Sequence, residues 1–119
     1  MRYVVVTLML ALIGVHATSA GEPYTCNMAA LTEEELVQYQ ELANTLHSSV
    51  QETKELRNGF AFRLPPDVLV TASQWIAYER KCCPFFEFEL EIPKDSGPVW
   101  LRITGDRGIK DFIRTEFEL

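Results

Sequence analysis

The sequence predicts an α+β domain: a four-stranded antiparallel sheet with helices on one face, in the order helix, strand, strand, helix, strand, strand, helix. Three observations carry this. Thr32 stands three residues before Glu35, the S/T-x-x-E pattern that satisfies free amides at a helix start. Asn58-Gly59 marks a hairpin turn. Phe86, Phe88, Leu90 and Ile92 alternate with Glu87, Glu89 and Glu91, the period-two signature of a strand with one wet face.

Each element follows from local chemistry. Residues 21–31 read as an irregular lead-in containing Cys26. Leu36, Tyr39, Ala43, Leu46 and Val50 recur at helical spacing, so an amphipathic helix is expected over about 33–47. Glu33, Glu34 and Glu35 suit the positive end of its dipole. Strands are expected over roughly 50–57 and 60–64, joined at Asn58-Gly59 by a type I′ turn. Pro65-Pro66 ends the second strand. Asp67 is the expected cap of a second helix, about 68–82, with Val68, Ala72, Trp75, Ile76 and Tyr78 or Glu79 turned inward. The strand 86–92 follows, then a loop at Pro93–Gly97, then Val99, Leu101 and Ile103 facing the same core. A turn at 105–108 leads to a short last helix carrying Ile109, Phe112, Ile113 and Phe117.

The first twenty residues read as a cleavable leader. Arg2 gives a basic start, Tyr3–Val15 is almost wholly apolar, and Ala17-Thr18-Ser19-Ala20 offers a small-residue cleavage site. The apolar run is short for a permanent span, although an uncleaved anchor is the alternative. Residues 21–119 then form one domain, exported to the periplasm or secreted. Loss of Arg2 with the leader leaves 10 basic against 17 acidic residues, a net charge of −7. Such an acidic chain argues against nucleic-acid binding, which needs a basic face for phosphate, and against docking on anionic lipid.

The chemistry concentrates at Cys82-Cys83, inside E-R-K-C-C-P-F-F-E-F-E-L, where a helical pattern gives way to a strand pattern. Two adjacent thiolates form a soft, chelating ligand set suited to thiophilic ions. They sit at a helix C-terminus, where the dipole opposes the thiolate, whereas activated cysteines favour N-termini. A metal ion deprotonates a coordinating thiol by its own charge, so the position favours soft-metal ligation over thiol catalysis. Cys26 precedes the first helix by about six residues. If the two helices pack antiparallel, Cys26 approaches Cys82 and Cys83. In an oxidising compartment it pairs with one of them, closing a loop of about 57 residues. A vicinal Cys82–Cys83 bridge is the other pairing, at the cost of a strained peptide. His47 is the one histidine outside the leader, and a histidine at a helix C-terminus serves the dipole before it serves as a base. Glu87, Glu89 and Glu91 read as a solvated stripe. Phe85, Phe86 and Trp75 read as core around the cysteines.

The C-C-P-F run, an upstream cysteine before a helix and the downstream P-V-W-L-R-I-T-G stretch resemble a small bacterial CCPF-motif domain. That domain occurs alone and appended to mercury- or heavy-metal-responsive regulators. The resemblance spans most of residues 26–114. It implies a three-cysteine set, here Cys26, Cys82 and Cys83, with Glu79 close by. The chain departs from the regulator-fused form in lacking a DNA-binding segment and in carrying a leader.

The expectation from sequence is therefore an exported protein whose Cys26, Cys82 and Cys83 bind a thiophilic metal or metalloid, such as Hg, Cu(I), Zn or As(III). The role would be sequestration or hand-over, not turnover. Two alternatives stand beside it: a thiol–disulfide redox or sensing protein, and a structural domain with one disulfide and no chemistry.

Overall fold

In the computed structural model, which describes residues 24–119, the chain forms the expected α+β domain. The expected leader lies outside the described residues. Helix α1 spans Glu33–Ser49, strands β1 and β2 span Glu52–Leu56 and Gly59–Leu64, and helix α2 spans Leu69–Cys82. Strands β3 (Glu87–Glu91) and β4 (Val99–Thr104) and helix α3 (Ile109–Glu116) complete it. The sheet is antiparallel throughout, in the order β1-β2-β4-β3. Among the described residues no helix is long and apolar enough to cross a membrane.

The register explains the core. Phe60, Phe62 and Leu64 of β2 stand opposite Ile103, Leu101 and Val99 of β4, and Phe88 and Leu90 of β3 oppose Ile103 and Leu101. Alternate residues share a face, so these side chains form one apolar surface, and the helices cover it. Leu64, Val99, Ile103, Ile109 and Ile113 are 2 % exposed or less. Full burial of one such side chain contributes roughly 1.5–3 kcal/mol, whereas an exposed ion pair contributes about 0–1 kcal/mol. Packing on the sheet, not surface charge, therefore decides stability. Charge orients: exposed Glu55 on β1 meets both Lys110 and Arg114, which pins α3 to the sheet edge.

Helix α1 begins as expected. The Thr32 hydroxyl accepts from the Glu35 amide, and the Glu35 carboxylate accepts from the Thr32 amide. It runs two residues past the expected end, and the Ser48 and Ser49 hydroxyls donate back to carbonyls of the preceding turn.

Three details correct the sequence expectation. The hairpin loop is Arg57-Asn58, and neither Asn58 nor Gly59 has positive φ, so the turn is not type I′. Gly59 serves close packing instead: a Cβ there would lie 2.0 Å from the Ile103 carbonyl oxygen. Asp67 does not cap α2; it sits in a 3₁₀ turn, Pro66–Val68, and α2 starts without a side-chain cap. Ile92 falls beyond the end of β3 and is 59 % exposed, outside the core.

Candidate functional site

Helices α1 and α2 pack antiparallel, and that packing assembles the site. Lys81, near the end of α2, places its Nζ 2.6 Å from the Glu35 carboxylate at the start of α1. The Asn27 amide donates to the Cys82 carbonyl at 2.7 Å. The segment before α1 is thereby laid across the end of α2. Tyr24 anchors it further, its ring packed at a tilt against Phe85 and Phe112 and its hydroxyl donating to the Arg107 carbonyl at 2.8 Å.

Cys26 and Cys83 consequently meet. Their Cα atoms are 4.6 Å apart and their sulfurs are bonded. Proximity of Cys26 to the pair, expected from helix packing, is what the structure shows. The sequence left open which partner Cys26 takes, and local backbone explains the choice. Pro84 disfavours helical geometry at the residue before it. Cys83 accordingly leaves the helix at φ −128° and ψ 72°, with its amide still donating to the Glu79 carbonyl at 2.7 Å. Cys82 stays in the helix as a free thiol, wholly buried. Its sulfur is 3.6 Å from the Cys83 sulfur and 3.6 Å from the Glu79 carbonyl oxygen.

Burial pushes the Cys82 thiol up to about 11, and the nearby Glu79 carboxylate adds to the shift. The thiol is therefore protonated at neutral pH and is not an activated nucleophile. This agrees with the helix C-terminal position read from sequence.

Glu79 is the residue that composition alone does not reveal. It is 2 % exposed, an ionisable side chain inside the core. One carboxylate oxygen and the sulfurs of Cys26 and Cys83 all lie within 4.8 Å of one another. Cys82 is outside that tight group and touches it through Cys83. Burial raises the Glu79 carboxyl to about 7; the Tyr39 hydroxyl opposes the rise and the Glu116 charge adds to it. The spacing Ala72, Trp75, Glu79, Cys82 was the available signal, since it places Glu79 on the buried face of α2. Its inward turn was one of two options in the sequence, and its closeness to the cysteines was implied only by the family resemblance.

The remaining residues stand as follows. His47 is exposed on α1 and lies away from the sulfurs, at another wall of the core. Glu87, Glu89 and Glu91 are exposed along β3, and Glu91 pairs with Arg102. Phe85 and Phe86 pack with Tyr24 and Phe112 beside the disulfide, while Trp75 contacts Phe88 and Phe117.

In this structure the arrangement is a closed disulfide flanked by a buried thiol and a buried carboxylate. Reduction would convert it to three thiols beside that carboxylate. Comparison of the chain with family models, with curated proteins and with solved structures gave no match.

Proposed function

We propose that the reduced protein binds one thiophilic metal or metalloid ion through Cys26, Cys82 and Cys83, with Glu79 as an oxygen donor, and sequesters it or hands it on. The observation that supports this reading is the convergence of the Cys26 and Cys83 sulfurs and the Glu79 carboxylate within 4.8 Å, with a third sulfur 3.6 Å from Cys83. Metal–sulfur bonds are about 2.3 Å long, so one ion can reach ligand atoms gathered this closely once the disulfide is opened. The disulfide is then the ion-free oxidised form. Two electrons and two protons from a dithiol reductant open it to Cys26 and Cys83 thiols, and an incoming cation displaces thiol protons. Soft sulfur selects ions such as Hg(II), Cu(I) or As(III) over Ca²⁺ or Mg²⁺. Export to the periplasm or outside the cell fits both the leader and the disulfide. Nucleic acid is not among the partners this acidic chain suits.

Native mass spectrometry of the oxidised and reduced protein, with thiol counting and metal titration, tests the reading. The expected result is one ion per reduced chain, none on the oxidised chain, and sharply weaker binding in Cys83→Ser. Equal, weak affinity in reduced wild type and Cys83→Ser would overturn it.

A second reading rests on the disulfide itself. A bond between Cys26 and Cys83 with a free thiol alongside also suits a redox sensor. A reduction potential in the range of thiol oxidoreductases, with no metal affinity, would favour it.

A further inference from the structure

The residues of the sulfur cluster are unequally fixed. Glu79, Cys82 and Cys83 stand on the last turn of α2 or directly after it, and all three are buried. Cys26 is partly exposed and lies on a segment with no regular structure beyond a single 3₁₀ turn, Met28–Ala30. From Thr25 to Ala30 no side chain is buried, and the chain re-enters the core only at Leu31, 7 % exposed. Residues 24–30 therefore form a strap. It crosses the end of α2 and carries one sulfur to groups that α2 holds in place.

In the oxidised protein the Cys26–Cys83 bond locks the strap. Once that bond is reduced, the strap is held on either side of Cys26 by non-covalent contacts. On one side the Asn27 amide donates to the Cys82 carbonyl at 2.7 Å. On the other side is Tyr24, which fastens to the far part of the chain. Its hydroxyl donates to the Arg107 carbonyl in the turn before α3. Its ring centroid lies 4.9 Å from that of Phe85 and 5.9 Å from that of Phe112 on α3. A segment with so little buried surface opens at far lower cost than the whole fold. Opening withdraws Cys26 and uncovers the sulfurs that remain on α2.

We infer that in the reduced protein this strap is the gate of the ion site, and that Tyr24 is its latch: a positioning residue that sets how fast an ion enters and leaves. The inference rests on ion binding at the cluster as proposed above, and it adds the route and the control of exchange.

Hydrogen exchange at the Asn27 amide reads the strap with no ion present, in the full chain. Exchange is expected to be about tenfold faster or more after reduction of the disulfide. In the reduced protein it should outrun exchange of the β4 amides by about a hundredfold and depend little on urea, the mark of local opening. Tyr24→Phe removes only the hydroxyl and should speed Asn27 exchange about two- to tenfold, the factor that one ordinary hydrogen bond corresponds to. Tyr24→Ala, which also removes the ring, should speed it further. Asn27 and β4 amides exchanging together, or an Asn27 rate unmoved by Tyr24→Ala, would overturn the inference. The second arm uses Cu(I), loaded anaerobically on reduced protein and withdrawn by a coloured Cu(I) chelator. The rate of loss is expected to level off as chelator is raised, and the plateau should rise in Tyr24→Phe but not in His47→Ala. Uptake of Cu(I) with an unmoved plateau would overturn the latch alone. A reduced chain that takes up no thiophilic ion would overturn the ion-binding reading and this inference together.

Discussion

Lys81 and Glu35 join the last turn of α2 to the first turn of α1 through an ion pair of 2.6 Å. The pair is partly exposed, and its own energy is small. Its importance is positional. It marks the antiparallel packing that lays Cys26 against Cys83, so the disulfide is a product of helix geometry and not of sequence proximity.

The disulfide closes a loop with a sequence separation of 57 residues. The chain-entropy model values such a closure at roughly 4 kcal/mol. Reduction, or Cys26→Ser, is expected to lower stability by about 2–4 kcal/mol. Urea unfolding of oxidised and reduced protein checks this. An unchanged midpoint would show that the denatured chain is already held compact by other contacts.

Glu79 should make stability pH-dependent. Its carboxyl rises from an ordinary 4.5 to about 7 in the fold, with burial the main cause. Between those values the folded chain keeps a proton that the unfolded chain has shed. Stability is therefore full below about pH 4.5 for this group and falls as pH climbs through 7. The expected loss is on the order of 3 kcal/mol by pH 8. Unfolding midpoints of wild type and Glu79→Gln, measured from pH 5 to 8 on oxidised protein, should diverge with the variant the more stable at the alkaline end. Parallel curves would show that Glu79 does not carry the effect.

Gly59 should tolerate no side chain. A Cβ would sit 2.0 Å from the Ile103 carbonyl oxygen and 2.8 Å from the Thr104 Cα, both backbone atoms of β4 that cannot swing aside. Gly59→Ala is expected to cost about 3 kcal/mol or more by forcing the central strand pair apart. Thermal unfolding measures it, with Gly97→Ala as a milder comparison, because its Cβ would meet the Pro93 ring at 3.2 Å and the Lys94 carbonyl oxygen no closer than 3.9 Å.

Thr32→Ala removes the hydroxyl that accepts from the Glu35 amide. The expected cost is about 1 kcal/mol. Thr32→Ser should restore most of it, which separates capping from any loss of the threonine methyl.

Much of this fold was legible in the chain because its signals are periodic. Val99, Leu101 and Ile103 alternate, and they are buried in alternation. Thr32 and Glu35 form the box their spacing promises. The misreadings come from tertiary packing. Asn58-Gly59 looks like a primed turn, yet the glycine answers to the neighbouring strand and not to its own φ. Ile92 continues an alternating pattern after the strand has stopped pairing. At the site, the nearness of three cysteines followed from helix packing, while the choice of Cys83 over Cys82 depended on how Pro84 turns the backbone.

The Cys26–Cys83 bond makes residues 26–83 a covalent ring holding α1, β1, β2 and α2, with the remaining chain attached as a tail. The tail is not peripheral: its strand β4 lies between β2 of the ring and β3. A protease that cuts once within residues 27–82 therefore releases nothing, and the nicked molecule gains only one water and keeps its two pieces joined. Only a cut followed by reduction frees a fragment. Damage to this half of the chain therefore remains invisible until the molecule meets a reductant.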